Sequence, residues 1–571
     1  MQQKRPEQSL RLLNDEQVRR FIADGFIMID AGLSEAFHAE VSAQVAYTLE
    51  QELPHPGDNI VPRVPALNQV CDSPAVQGAL VSLLGHDFVF LPHRFPHNSE
   101  PLPEQGQKQQ CTAFDTQPTM AAGSISASAW HQDSHASCGR TRWHTPRAAN
   151  VFYFPHDTPL HMGPTRFLAG SHLYATLHDI SAQQAVMQTI PAGTVVIAHF
   201  DLAHAGSPNN SHLGRYMVKL VALRTEVPTT ATWDNRESQW QPPVGLHTHH
   251  ELPAAWAALW RWMRGEPRFS AGQQAAADHV EVKSLMDGLR SISQQQRLTA
   301  LYALAALGTK AVEPLVDLLL TTAGQSRHHN AAGKVLPSQS QHHLDRFFLE
   351  GQFTPEDSAI ALGCIGQPAA QRLGQLLGHE DPWIRMNAVY ALGDAGADVA
   401  QAYLGQINQL LFDEEASVIR VTLDALAALG RLDVDAVGRL TQFICRQVPE
   451  WVADSQSDPR LAMLEQMRYL STIVLLNWVT HAQRHEPEQD PQMLANAEAA
   501  LLHSLKDENG YPARLACMAL ERCGSAASLR AVIHYLRGRA WDAEQNTRAM
   551  GAWTLAHRNA TLARLNALPD A

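Results

Sequence analysis

His131 and Asp133 stand two residues apart in the sequence WHQD and form its sharpest chemical feature. Side chains alternate along an extended strand, so both would point to one side and could bind one metal ion. His204 follows after a long gap, in a turn rich in Gly, Ser, Pro and Asn. Two histidines and one carboxylate on one side of Fe(II) leave coordination positions open for oxygen chemistry. We therefore predict that His131, Asp133 and His204 hold a catalytic metal.

A second His-x-Asp pair, His379 and Asp381, lies between two predicted helices. The chain contains 29 histidines, so this short pattern arises easily by chance. Asp381 directly precedes Pro382, and an aspartate before a helix-starting proline suits a helix N-cap. We predict that Asp381 caps a helix and that this pair is not a metal site.

Arg215 begins a predicted strand eleven residues after His204. A guanidinium group grips a carboxylate through two parallel charge-assisted hydrogen bonds. We predict that Arg215 faces the metal cavity and binds an anionic group there. If it does not, Arg166 and Lys219 are the next candidates.

The basic segment that contains Arg140, Arg142 and Arg147 also contains Trp143. It could line the mouth of the pocket and receive an anionic substrate. A solvated loop is the interpretation that we favour, because charge runs are usually exposed.

Residues 1–270 are rich in proline, aromatic residues and β-branched runs. A helix is expected to begin after Asn14 and to end at Gly25. Short apolar segments separated by turns predict strands. These segments are 26–30, 87–92, 148–154, 193–200 and 215–223. They do not alternate with long helices, which favours an antiparallel sandwich or jelly roll.

Residues 285–571 are rich in Ala, Leu and Gln, and we place the boundary between the two parts within 265–290. Four segments each predict an apolar helix that ends near a glycine, and a second amphipathic helix follows most of them. The four segments are 297–308, 384–396, 418–430 and 511–524. This period of about 30–40 residues predicts an all-α solenoid that resembles HEAT repeats. An irregular helical domain is the alternative.

The composition excludes several classes of protein. Apolar residues make up 45% of the chain and charged residues 18%, which suits packed cores rather than disorder. The net charge of −13 argues against general binding of nucleic acid or anionic membrane. No apolar run approaches the ~20 residues of a membrane span, and the first twenty residues lack the apolar core of a signal peptide. We expect a cytoplasmic protein.

Several motifs occur in a characteristic order between residues 13 and 225. They are LNDEQVRRFIADGFIMID, WHQD, GPTRFLAGSH, AGTVV, HAGSPN and Arg215. As a set they resemble the phytanoyl-CoA dioxygenase family of Fe(II)/2-oxoglutarate oxygenases. The resemblance implies a double-stranded β-helix, the cupin-like jelly roll, with flanking helices. It also implies that His131, Asp133 and His204 bind iron and that Arg215 binds the distal carboxylate of 2-oxoglutarate.

Two weaker assignments follow from the same resemblance. Gln132 lies inside the metal motif and is a candidate contact for 2-oxoglutarate, with a spacer role as the alternative. Relatives often carry a hydroxyl for 2-oxoglutarate two positions after the last histidine, where this chain has Gly206. Ser207 is adjacent and is the candidate hydroxyl.

The implied function is that of an Fe(II)/2-oxoglutarate-dependent dioxygenase that also consumes O2. Hydroxylation of an unactivated C–H bond, with succinate and CO2 as coproducts, is the expected reaction. Related halogenases carry Gly or Ala at the position of Asp133, so the carboxylate argues against halogenation. Desaturation and ring formation stay open.

The nature of the substrate is a separate question. We favour a small molecule, and nothing in the sequence requires coenzyme A. A peptide, protein or carrier-bound substrate presented by the HEAT-like solenoid is the alternative. A third possibility is a non-enzymatic interaction protein whose working part is the solenoid.

Overall fold

The strands of the β-sheet region fall before residue 224, and the chain that follows is mainly helical. The computed structural model describes residues 9–51, 56–102, 130–133, 141–175, 185–269, 282–324, 348–349, 352–448, 463–485, 490–507 and 510–538. An amino-terminal β-sheet domain with flanking helices, consistent with a cupin-like fold, is therefore joined to a carboxy-terminal helical region.

The β-sheet domain contains two antiparallel sheets. Its strands are β1 (Phe26–Asp30), β2 (Val89–Ser99), β3 (Ala148–Tyr153), β4 (Arg166–Leu168), β5 (Ala185–Val186), β6 (Thr194–His199), β7 (His204–Ala205) and β8 (Arg215–Leu223). The larger sheet has the order β1-β6-β3-β8-β2, and the smaller has the order β5-β4-β7. The predicted strands at 26–30, 148–154, 193–200 and 215–223 are confirmed within one residue at each end. The strand predicted at 87–92 runs on to Ser99.

The larger sheet is covered on both faces, which explains why every residue of β8 is buried. One face packs toward the smaller sheet through an apolar cluster that includes Phe26, Phe152 and Phe167. The other face contributes Val151, Val218 and Leu220 to a much larger core shared with the helices. Strands buried on both faces read as nearly continuous apolar runs, as the central strands β3 and β6 do.

The flanking helices are α1 (Asp15–Asp24), α2 (Glu35–Gln51), α3 (Ile60–Arg63), α4 (Leu67–Cys71), α5 (Pro74–Leu84) and α6 (Pro253–Met263). Helix α1 begins and ends as predicted. The side chain of Asn14 accepts a hydrogen bond from the Gln17 amide, and the Gln17 side chain completes a capping box. Gly25 ends the helix with φ +85°, a conformation in which glycine has little steric penalty.

The helical region contains α7 (Val282–Gly288), α8 (Gln294–Ala306), α9 (Thr309–Leu320), α10 (Asp357–Ile365), α11 (Gln367–Leu376), α12 (Pro382–Ala395), α13 (Ala397–Ala400), α14 (Leu404–Gln409), α15 (Ala416–Leu429), α16 (Val434–Ile444), α17 (Met463–His485), α18 (Pro491–Ser504), α19 (Gly510–Cys523) and α20 (Ala526–Gly538). The paired strands β9 (Phe348–Leu349) and β10 (Gln352–Phe353) precede α10.

The helices form two layers. Helices α8, α10, α12, α15, α17 and α19 contact one another in succession, and α9, α11, α16, α18 and α20 pack on the outside. The four helices predicted from the repeated segments are α8, α12, α15 and α19. Their assignment as HEAT-like repeats stays a prediction, as does the domain boundary within 265–290.

The inner helical layer contacts the β-sheet domain directly. Trp143 stacks on Tyr390 of α12 with ring centroids 4.7 Å apart. The guanidinium of Arg147 lies 4.4 Å from the Trp143 ring centroid and donates a 3.3 Å hydrogen bond to the carbonyl of Gly393. Arg142 and Trp143 are buried. A solvated loop was therefore the wrong interpretation for these three residues, because the helical layer covers them; Arg140 lies outside the described residues.

Within the described part of the chain, no helix combines the length and the apolar character needed to cross a membrane.

Candidate metal centre

The structure brings His131, Asp133 and His204 together, although His204 is far from the other two in sequence. One ligand atom from each residue lies within 4.8 Å of the other two. Nε2 of His131 is 3.7 Å from Oδ1 of Asp133, and Nε2 of His204 is 3.6 Å from Oδ2. Asp133 and His204 are nearly covered, whereas His131 is half exposed. The cluster is therefore open on the side of His131.

Backbone pairing sets this arrangement. The amide of His131 donates a hydrogen bond to the carbonyl of His204 at 3.1 Å, and the amide of His204 donates one to the carbonyl of His131 at 3.0 Å. This antiparallel bridge places the two imidazole rings 4.4 Å apart, centroid to centroid. Asp133 shares the side of His131 because it is two residues further along the extended chain. The His-x-Asp spacing and the bridge together account for the cluster.

His204 has the protonation pattern of a metal ligand. Its Nδ1 lies 3.0 Å from the carbonyl of Leu202, and a carbonyl only accepts, so Nδ1 carries the proton. Nε2 is then the unprotonated nitrogen, and it faces Asp133. Burial is the main cause that lowers the pKa of His204 to about 3, so the ring is neutral near pH 7. A neutral imidazole whose other nitrogen bonds to a carbonyl is a typical metal ligand.

Asp133 is held by two residues of the larger sheet. Asn150 on β3 donates to Oδ2 at 2.8 Å, and the ammonium of Lys219 on β8 also contacts Oδ2. Burial raises the pKa of Asp133, but Lys219 and the two histidines lower it by more. Its net pKa is far below the usual value, so the carboxylate is ionised.

The sequence contains weak signals for both partners of Asp133. Asn150 is a polar residue inside the apolar strand AANVFYF, where burial is expected. Lys219 lies four residues after Arg215 on β8, so the two share a face of the strand. The sequence predicts Lys219 only as an alternative anion anchor.

Arg215 is buried on β8, on the same side as Lys219. One of its terminal nitrogens donates a 2.5 Å hydrogen bond to the carbonyl of Gly163. Arg166 on β4 donates to the carbonyl of Gly206 at 2.8 Å, and its guanidinium lies 5.3 Å from the Trp130 ring centroid. The position of Arg215 suits an anion anchor inside the domain, and its contact with 2-oxoglutarate stays a prediction.

The amide of Gln132 turns to the backbone rather than to the cluster. It donates to the carbonyls of Ser171, Tyr174 and Asp201 at 3.0–3.3 Å. These three bonds tie the metal motif to two neighbouring segments, which supports the spacer alternative. Its contact with 2-oxoglutarate stays a prediction.

Ser207 is fully buried three residues after His204, and its hydroxyl lies 3.4 Å from the sulfur of Met187. No described contact joins the hydroxyl to the cluster. Its role as a cosubstrate contact also stays a prediction.

Sequence reasoning missed a row of aromatic side chains on β2. Phe95 pairs directly with Lys219 and His97 with Met217, so both share the face of Lys219. The ring centroids of Phe95 and His97 are 5.0 Å apart, and Phe95 also stacks on His93. Burial lowers the pKa of both histidines, which keeps the imidazoles neutral. The alternating pattern HRFPH was the available signal.

The second His-x-Asp pair belongs to a helix start, and the predicted cap is confirmed. Oδ1 of Asp381 accepts a 2.7 Å hydrogen bond from the amide of Trp383 in the first turn of α12. Nδ1 of His379 accepts from the amide of Asp381 at 3.0 Å. Both side chains therefore stabilise the turn before the helix.

Residues 23–217 match the family model described as phytanoyl-CoA dioxygenase. The match spans most of the β-sheet domain and includes all three residues of the cluster. No curated protein matches the chain.

Three of the solved structures with similarity to the chain are ThoJ, SnoK and CytC3. The non-heme monooxygenase ThoJ, in complex with nickel, is 21% identical, covers 39% of this chain and 84% of its own, and has a TM-score of 0.28. The carbocyclase SnoK from nogalamycin biosynthesis is 19% identical; the similarity covers 41% of this chain and 88% of SnoK, with a TM-score of 0.27. CytC3 with Fe(II) and alpha-ketoglutarate is 15% identical; the similarity covers 38% of this chain and 79% of CytC3, with a TM-score of 0.26.

The family match and the donor set together support an Fe(II)/2-oxoglutarate oxygenase. One neutral imidazole, a second imidazole and an ionised carboxylate form the donor set of the facial triad that binds non-heme Fe(II). The residues present therefore fit iron. Fe(II), 2-oxoglutarate and O2 are the cofactor and cosubstrates of such a site.

Proposed function

We propose that this protein is an Fe(II)/2-oxoglutarate-dependent dioxygenase that hydroxylates an unactivated C–H bond of a small molecule. The observation that carries the proposal is the convergence of His131, Asp133 and His204, whose ligand atoms lie within 4.8 Å of one another. These three residues would hold the iron. Bound iron with 2-oxoglutarate supplies the oxidising chemistry that inserts oxygen and releases succinate and CO2.

The other residues of the site have supporting roles in this proposal. Asn150 and Lys219 fix the orientation of Asp133, since both contact the same carboxylate oxygen. Arg215 would bind the distal carboxylate of 2-oxoglutarate from the same strand. Phe152 packs edge-on against His204, with ring centroids 5.3 Å apart, and excludes water from that side of the imidazole.

The contacts of the helical region favour a small substrate. Trp143, Arg147 and Thr141 of the β-sheet domain pack against or bond to the inner helices. Where the inner helices pack on the sheet domain in this way, that part of their surface is not available to a macromolecule, and this supports the proposal of a small substrate. Analysis of the oxidised product would separate hydroxylation from desaturation and ring formation.

Loading with iron tests the proposal, and the two His-x-Asp pairs supply a matched comparison. The protein is loaded anaerobically with Fe(II), freed of unbound metal and assayed for iron and for 2-oxoglutarate-dependent succinate formation. Wild type and His379→Ala should retain about one iron per chain, because a facial triad binds a single metal ion. His204→Ala should lose both the iron and succinate formation. Wild-type iron content in His204→Ala would refute the assignment.

A further inference from the structure

Strand β2 presents a row of rings on the side of the larger sheet that faces the candidate metal centre. His97 is the cross-strand partner of Met217, and Phe95 is the partner of Lys219. Lys219 contacts Asp133, so the side chains that share its face lie on the metal side of the sheet. His97 and Phe95 therefore border the same space as a candidate metal ligand.

The two histidines of β2 differ in their partners. Nδ1 of His93 lies 3.6 Å from Oδ1 of Asp58, and the same oxygen accepts a 3.0 Å hydrogen bond from the amide of Arg94. The hydroxyl of Tyr511, in the helical region, also bonds to Asp58. Nε2 of His97, in contrast, is buried and has no hydrogen-bond partner within the described part of the chain. A buried imidazole nitrogen without a partner costs free energy, so this position favours a group that bonds to it.

His97 supplies a hydrogen-bond donor rather than a charge. The charged groups that act on its ring are Lys219 and Asp133, and the rings of His93 and His204 also lie nearby. Burial, with a smaller contribution from Lys219, lowers the pKa of His97 well below its usual value, so the imidazole is neutral near pH 7. A neutral imidazole still carries one N–H. It can therefore donate to an anion without adding a positive charge beside Lys219.

The strand register places His97 between the levels of Arg215 and Lys219. Its own partner, Met217, stands between these two residues on β8. Diagonal neighbours on one face of an antiparallel pair lie ~7–8 Å apart, which long side chains can span. Because Lys219 contacts Asp133, a molecule that extends from Arg215 towards Asp133 would pass beside His97.

We propose that His97 binds the distal carboxylate of 2-oxoglutarate together with Arg215, through a hydrogen bond from Nε2. The inference rests on the proposed function and adds a second donor to its cosubstrate site. In 2-oxoglutarate, methylene groups separate the keto acid from the distal carboxylate, so this carboxylate is the polar group available away from the metal. A carboxylate only accepts hydrogen bonds, so Nε2 carries the proton in the complex.

Calorimetric titration of the Fe(II)-loaded protein in the absence of O2 tests the proposal, because ligands then bind without turnover. The comparison ligand is 2-oxopentanoate, which has the keto acid and the chain length of 2-oxoglutarate but lacks the distal carboxylate. His97→Leu removes the donor and should weaken 2-oxoglutarate binding about tenfold, the usual effect of losing one hydrogen bond to a charged group. Its iron content and its affinity for 2-oxopentanoate should equal those of wild type.

Two further variants separate the hydrogen bond from the shape of the ring. His97→Gln restores an N–H donor without an aromatic ring and should recover part of the lost affinity. His379→Leu removes a histidine from the turn before α12 and should bind both ligands like wild type. Equal losses for both ligands in His97→Leu, or a His97→Gln variant that binds 2-oxoglutarate no better than His97→Leu, would overturn the hydrogen bond.

The two ligands also distinguish this assignment from the proposed function. A wild-type protein that retains iron but does not bind 2-oxoglutarate would reject the proposed function, and the assignment of His97 with it. Wild-type binding of 2-oxoglutarate, with an unchanged preference over 2-oxopentanoate in His97→Leu, would leave the proposed function standing and overturn the role of His97 alone.

Discussion

Asn150 and Lys219 reach the same oxygen of Asp133 from two neighbouring strands. At the scale of single residues, this contact suggests that Lys219 and Arg215, both on β8, have different functions. Lys219 contacts Asp133, a candidate metal ligand. Arg215 lies four residues earlier, and its described hydrogen bond is to the carbonyl of Gly163. Substitutions at the two positions should therefore change different measured quantities.

Arg215→Ala should raise the KM for 2-oxoglutarate strongly and leave kcat largely unchanged. The distal carboxylate is remote from the bond that breaks, so its contact is nearly equal in the ground and transition states. Loss of a buried charge partner costs about 3 kcal/mol, or roughly 100-fold in KM. Arg215→Lys should recover part of the loss, since an ammonium lacks the planar fork. Steady-state succinate formation across a 2-oxoglutarate series measures both, and an unchanged KM in Arg215→Ala would exclude Arg215 as the anchor.

Lys219→Met should instead weaken iron binding, by roughly 10- to 100-fold, the usual effect of losing a group that orients a metal ligand. The methionine retains the apolar stem but leaves Asp133 without its ammonium partner. Anaerobic metal titration of Lys219→Met, wild type and Arg215→Ala gives the comparison. Arg215→Ala should bind iron like wild type. An unchanged iron affinity in Lys219→Met, together with a raised KM for 2-oxoglutarate, would make Lys219 the anion anchor.

At the scale of the elements, the local patterns that act over a few residues were readable from the sequence. The capping box at Asn14, the N-cap at Asp381 and the strand Arg215–Leu223 all depend on short-range rules. The pairing of Phe95 with Lys219 was not readable, because strand register depends on which strands become neighbours. The burial of Trp143 and Arg147 was not readable either, because it depends on packing against a helix more than 200 residues away in the sequence.

Gly25 connects α1 to β1, and its surroundings leave little space for a side chain. A Cβ at Gly25 would lie 2.5 Å from Nδ1 of His172 and 2.7 Å from the Leu202 side chain. Gly245 also has a positive φ, +66°, but a Cβ there would meet nothing within 4 Å. Gly245→Ala should cost about 1 kcal/mol for backbone strain alone. Gly25→Ala should cost about 1–3 kcal/mol more, because it also overpacks the junction.

Urea unfolding of the two glycine variants and wild type measures this difference. Leu202 accepts the hydrogen bond that fixes the His204 ring, so Gly25→Ala should also reduce iron affinity. Equal losses of unfolding free energy in both variants would show that the junction has room for a methyl group.

At the scale of the whole molecule, the β-sheet domain and the helical region share one apolar core. Polar contacts also cross between them: the hydroxyl of Thr141 bonds to Asp424, and the hydroxyl of Tyr511 bonds to Asp58. Arg268 and Asp394 form a buried ion pair with Nη1 and Oδ2 2.6 Å apart. Sequence composition located the change from strands to helices, but it carried no signal for these contacts, since each joins residues over 100 positions apart.

The Arg268–Asp394 pair predicts how strongly the junction stabilises the fold. Asp394→Ala should lower the free energy of unfolding by about 3–5 kcal/mol, because it leaves a buried guanidinium without its carboxylate. The double variant Arg268→Met/Asp394→Leu should lose less than the sum of the single variants, since it removes both charges. Asp398→Ala, at an exposed position in the next helix, is the control and should change stability little.

The same pair predicts a dependence on pH. Burial raises the pKa of Asp394, but Arg268, Arg147 and His144 together lower it by more, so the folded-state pKa lies below the unfolded value. An aspartate in an unfolded chain has a pKa of about 3.9. The stabilisation is therefore complete above roughly pH 5 and is lost as the pH falls through the folded-state value. The difference in unfolding free energy between wild type and Asp394→Ala, measured in urea from pH 7 to pH 3, should shrink at the acidic end. A difference that grows on acidification would mean that Asp394 is not stabilised as a carboxylate, and the ion pair would not then contribute the predicted stability.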